Sequence, residues 1–223
     1  MKKLILLLSL IVLGCSVSLA QSAKDIRKER AEIRRMAKTE LKQRASRTAR
    51  KDARKYEKEG WLVSPGALPI EKQLDKSYMM QMEYDNEMFP KYIMAEAQSI
   101  GGNYDAAKMQ ALELAKQNLA GQIQTEITAL IENTVANEQL EAEQAVSITR
   151  SVMASKNLIS QSIGRVIPVV EMYRTLPNKN KEVLVRIAYN SDMAKKAALK
   201  AVKQNLEDKG EDLHGKLEKL LGL

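Results

Sequence analysis

One cysteine, one histidine, one tryptophan and one phenylalanine among 223 residues remove most familiar chemistries at the outset. Cys15 is the sole cysteine, so the chain can build neither a disulfide framework nor a cysteine metal cluster. His214 is the sole histidine and stands in a charged C-terminal tail, residues 209–223. That makes it a solvated residue, and a Ser/His/Asp or Cys/His device would have no base unless the tail folded into its site. No cofactor motif is present. Gly101-Gly102-Asn103 lacks the third glycine and the lysine of the phosphate-binding loops, so it reads as strand-to-helix turn chemistry.

Long apolar runs are also missing, with one short exception. Leu4 to Leu13 is broken only by Ser9 and is too short to cross a hydrocarbon core of about 30 Å as a helix. Lys2 and Lys3 precede it and small residues follow, which is the order of an export signal. Ser18-Leu19-Ala20 places small residues where a general signal peptidase reads them, so the expected cut falls between Ala20 and Gln21. Val12-Leu13-Gly14-Cys15 is the alternative, a lipobox with a bulky Leu, and cutting there would attach lipid to Cys15. Either way the expected location is outside the cytoplasm, in the periplasm or at the outer membrane. About 200 residues remain, enough to bury a core without covalent staples.

Charge is abundant but uneven. From Ser22 to Glu59 there are 15 Lys/Arg against 7 Asp/Glu, so a basic arm, residues 21–60, precedes a nearly neutral body. The arm has no proline and many strong helix formers, which predicts one long helix from Asp25 to Lys58, stopped by Gly60. Ile26, Ile33, Met36, Ala37 and Leu41 fall on one face, but the stripe then thins to Ala45, Ala49 and Ala53, too thin for a coiled coil. The arm is therefore expected to be dispensable for folding. Its cations, among them Arg34, Arg35, Arg44, Arg47, Arg50 and Arg54, suit an anionic lipid or polymer surface, where each contributes about 1 kcal/mol. Nucleic acid fits less well, because an export signal leads away from the genome and Tyr56 is the arm's only aromatic.

Residues 61–69 read as a linker around Pro65-Gly66 and Pro69, with Trp61 expected to plug a gap between arm and body. Residues 70–90 follow as a Met-rich helix with Leu74, Tyr78, Met79 and Met82 on one side. Met79, Met80, Met82 and Met88 lack the His or Cys company that a metal site would need.

The body, residues 91–208, reads in the order β-α-β-α-β-β-α. It has a strand at 91–101, an Ala-spaced helix capped by Asn103 and a strand from about Gln122 to Val135. A polar helix follows from about Glu138 to Lys156, then strands at Ile159–Thr175 and Glu182–Tyr189 joined by "PNKNK". A final helix starts at Ser191 or Asp192 and runs to about Asp208. That order predicts an α+β fold with a mostly antiparallel sheet of about four strands against helices. Glu96, Glu126 and Glu171 fall on the predicted strands without a spacing that sets two carboxylates at a defined distance.

Several of these segments, the strand ending in Gly-Gly, "AAKMQALELAKQNLAGQI", "QTEITALIE", "ISQSIGRVIPVVEMYR" and "KEVLVRIAY", resemble the LPP-twenty bacterial lipoprotein family, a domain also found in a flagellar assembly protein. The resemblance spans about 91–200. It implies a small envelope domain that binds or scaffolds other envelope components, with no activity and no catalytic residues to carry over. Those lipoproteins have a clear lipobox, whereas here Cys15 competes with Ala20. The expected role is non-catalytic, through an envelope protein partner or self-association. The competing expectation is an exported enzyme or transport accessory whose site has no motif.

Overall fold

The computed structural model of the protein describes residues 25–32, 34–35, 39, 42–86, 88–136 and 142–208. Cys15, Ala20, Gln21, His214, the stripe residues Ile33, Met36, Ala37 and Leu41, and the tail lie outside them. The chain divides into two compact units, Met1–Arg44 and Ala45–Leu223. In the first, residues 25–32 are helical and exposed. Among the described residues no helix is long and apolar enough to cross a membrane.

The second unit opens with helices α1 (Arg47–Lys58) and α2 (Ile70–Gln81). Strand β1 (Tyr92–Gly101) and helix α3 (Tyr104–Ala136) follow, then helices α4 (Ala142–Ala154) and α5 (Lys156–Ser162). Strands β2 (Ile167–Thr175) and β3 (Lys181–Asn190) and helix α6 (Ser191–Asp208) close the unit. The α+β expectation holds, with a sheet of three antiparallel strands rather than four, in the order β1-β3-β2. The last strand in sequence is thus the middle one in space.

That position explains the composition of β3. Val183, Val185, Ile187 and Tyr189 face a core built with α3, α4, α5 and α6, while Leu184 and Ala188 face the opposite side. Apolar residues on both pleats are what a doubly covered strand requires. Leu184 joins Val170 and Met172 under Ala45, Ala49 and Ala53 at α1, and under Trp61, Ile70 and Leu74. The sheet is therefore sandwiched between helices.

Three readings of the sequence are overturned. The predicted strand 122–135 is the second half of α3, a helix of 33 residues. Its buried positions Ala107, Ala111, Ala115, Leu119, Ile123, Ile127 and Ile131 recur every fourth residue, a helical repeat that the β-branched side chains disguise. Gly101 serves close approach here, since a Cβ on it would lie 2.8 Å from the Ala107 nitrogen. Asn103 caps the turn, its Oδ1 accepting from the Ala106 N–H at 2.9 Å. The predicted strand from Ile159 begins only at Ile167, because Ile159 and Ile163, four apart, bury themselves from the short helix α5 and the residue after it.

The third correction concerns the arm. A single helix from Asp25 to Lys58 is interrupted, since residues 44–46 are not helical. Ser46 starts α1 afresh, its hydroxyl accepting from the Ala49 N–H and its own N–H donating to Asp75 Oδ1 at 3.0 Å. The alanines that thin the stripe are the contact itself, because side chains without a γ-carbon let α1 lie close to its neighbours. The boundary between arm and body thus falls at Ala45, not at Gly60. The Met-rich helix also ends early, at Gln81. Ile70, Gln73, Leu74, Ser77 and Met80 are its buried side, whereas Met79, Met82 and Met88 are exposed.

Candidate functional site

Helix α1 presents a basic face because it buries an alanine face. At 100° per residue, Arg47, Lys51, Arg54 and Lys58 fall within an arc of about 60°. Ala49, Ala53 and Tyr56 occupy the opposite side. All four cations are exposed, and no acidic residue falls inside their arc. Asp52 instead accepts from Lys55 Nζ of its own helix at 2.8 Å and from the Tyr78 hydroxyl of α2 at 3.0 Å. These two hydrogen bonds, the Lys55 bond first, hold its carboxyl below the usual range. The result is a cationic row about 16 Å long, fixed to the body by Trp61, which is 3% exposed and carries the Arg174 guanidinium 4.8 Å from its ring. Trp61, expected between arm and body, instead packs α1 and the linker onto the sheet within the second unit.

The six arginines singled out in the sequence do not form one face. Arg34, Arg35 and Arg44 belong to the first unit and Arg47, Arg50 and Arg54 to the second. Arg50 is half-buried, with a buried Nε that no described group accepts from. Lys51 and Lys58 complete the row. The spacing 47-51-54-58, read against the alanines, was the signal that could have found them.

On the opposite side of the sheet, Glu171 of β2 accepts from the Tyr104 hydroxyl and from Lys108 Nζ at 2.8 Å. Ser64 Oγ, from the linker, donates to the Tyr104 oxygen at 2.7 Å, and the Tyr104 ring meets that of Tyr173 edge-on at 5.2 Å. Burial, then the bond to Glu171, raises the Tyr104 phenol, and that same carboxylate raises Lys108. Glu96 lies on the other face of the sheet, paired with Arg186 at 2.7 Å, which also donates to Ser77 Oγ. Glu126 is on α3, not on a strand. The three carboxylates therefore do not converge. The Glu171 cluster consumes its own polar groups, so its chemistry is to tie linker, helix and sheet together.

A pH dependence follows. Tyr104 and Lys108 both bind their protons more tightly in the folded chain, so their contribution to stability is complete below about pH 10 and is lost as pH rises through the raised values. Thermal unfolding followed between pH 9 and 11 should show a steeper loss of stability for the unaltered chain than for Glu171→Gln.

Among the described residues no group of three or more His, Cys, Asp or Glu side chains comes together. Met82, Tyr84, Met88 and Phe89 are exposed at the turn before β1, where Met88 adopts a φ of 65°. Comparison with family models, curated proteins and solved structures finds no match.

Proposed function

We propose that the chain is an exported, non-catalytic envelope protein that rests on an anionic lipid surface through α1 and offers its body to other envelope components. The observation that carries this reading is the row Arg47, Lys51, Arg54 and Lys58, rigidly presented because the other side of the helix is part of the core. A row of this kind loses no side-chain packing when it meets lipid headgroups. Export rests on the segment from Lys2 to Gln21. Kinship with the LPP-twenty family belongs to the same reading, with the departure that "QTEITALIE" is helical here.

The test uses the chain recovered from its native envelope, its intact mass establishing first whether it begins at Gln21 or at an acylated Cys15. Protein without acyl chains should bind phosphatidylglycerol vesicles, bind neutral ones far less, and release steeply with salt as screening shortens to about 8 Å at physiological ionic strength. Replacing Arg47, Lys51, Arg54 and Lys58 by Gln should weaken binding by about two to three orders of magnitude at low salt, while Gln keeps the helix. Equal binding by the fourfold variant would sink the reading. Loss of binding on changing only Arg34, Arg35 and Arg44 would move the contact to the first unit.

A further inference from the structure

The two edges of the sheet are treated differently. In β2 the outward-facing backbone belongs to Glu171 and Tyr173. Tyr173 exchanges both its bonds with Leu62, at 2.7 and 2.8 Å, and the Glu171 N–H donates to Gln73 Oε1 at 2.6 Å. The linker and α2 thus close that edge. In β1 the parity is set by two bonds. The Lys91 carbonyl turns inward to accept from Ser191, and the Glu96 carbonyl turns outward to accept from Asn118 Nδ2 at 3.0 Å. Tyr92, Met94, Glu96, Gln98 and Ile100 therefore direct their backbone groups away from β3. Among the described residues only Asn118 meets them, leaving one lone pair of that carbonyl and the N–H and C=O of Met94, Gln98 and Ile100 without a partner. Gln98 is exposed and Ile100 is 51% exposed. An edge of this length without a proline, a lysine or a bulge is what soluble sheets ordinarily avoid.

We infer that this edge is the self-association surface of the protein, pairing antiparallel with β1 of a second copy to make one continuous sheet of two chains. The strand is complementary to itself in one register. With Ala97 facing Ala97 across the two-fold axis, Glu96 stands opposite Gln98 and Met94 opposite Ile100 on one face. On the other face Ala95 meets Ser99 and Ile93 meets Gly101. Sliding one strand by two residues, the smallest slip that keeps the hydrogen-bonding parity, sets Glu96 against Glu96 in one direction, and like charges directly opposite are destabilising. Two residues in the other direction sets Glu96 against Ile100. The small residues at 95, 97 and 99 leave room for α3 of each copy beside the axis, and the carbonyl that Asn118 occupies can accept a second bond.

The register makes the test specific. Ala97 would be a non-hydrogen-bonded pair with Cα atoms about 4.5 Å apart, within disulfide reach. In the full chain carrying Cys15→Ser, Ala97→Cys should form a disulfide-linked dimer on mild oxidation, and Ala95→Cys should do so far more slowly. By sedimentation, the chain without introduced cysteine should dimerise reversibly. Gln98→Glu, opposite Glu96, should weaken the dimer and Gln98→Lys should strengthen it, neither altering thermal unfolding of the separated chain. Gln98→Pro removes an outward N–H that β3 does not use, and should weaken association by at least about ten-fold. A chain that stays monomeric at every soluble concentration would overturn the proposal, including the case in which another protein's strand fills the edge. So would equal cross-linking at 95 and 97, or the same response to Glu and Lys at 98.

Discussion

A chain shortened to begin at Pro69 should lose its cooperative unfolding transition. Removing residues before Pro69 strips Ala45, Ala49, Ala53 and Trp61 from Val170, Met172 and Leu184. It also deletes the Leu62 backbone that pairs with Tyr173 and the Ser64 hydroxyl on Tyr104. Trp61→Ala alone should cost about 3–5 kcal/mol, the usual range for emptying a buried Trp site. Against a total of about 5–15 kcal/mol for a domain, the full deletion exceeds what the remainder can absorb. Calorimetry reads the outcome. A sharp transition in the shortened chain, or a loss below about 1 kcal/mol in Trp61→Ala, would show that α1 and the linker lie outside the cooperative unit.

The second large effect separates the helix from the strand that the sequence first suggests. Ile127 and Ala129 share a face in a strand of period two, but lie about 200° apart on a helix. Ile127 is buried and Ala129 exposed. Ile127→Asp should therefore destabilise by more than about 4 kcal/mol, an uncompensated charge replacing a core side chain. Ala129→Asp should cost under about 1 kcal/mol, mostly helix propensity. Denaturant unfolding of the two variants decides. Comparable losses would mean that both side chains point inward, as only the strand would have them.

These two sites mark where the sequence was legible and where it was not. Strand β1, the Asn103 cap, the hairpin turn and the start of α6 were all readable, because alternation, glycine pairs and capping residues act within a few positions. The second half of α3 was not, since Ile and Thr in "QTEITALIE" carry local strand preference. Only the four-residue recurrence continuing from Ala107 shows that burial along a single helix outweighs it. α5 was missed for the same reason, with Ile159 and Ile163 too close together to establish a period. The alanine face of α1 was visible but undervalued, because small side chains score as weak hydrophobes although they permit the closest approach. The basic row became legible only with that face assigned. The open edge of β1 had no sequence signature at all, since which strand ends a sheet is decided by partners far along the chain.

The placement of β3 in the middle of the sheet sets a timetable for folding. Ile93 pairs with Tyr189, so β1 must wait for a partner 96 positions later in the chain, and β2 for the residues directly after it. Closing so long a loop is entropically slow, whereas α3 in between can form from its own neighbours. While it lacks β3, the emerging polypeptide has no sheet to collapse onto. The sheet can therefore close only after its middle strand, almost the last element of the chain, has been made.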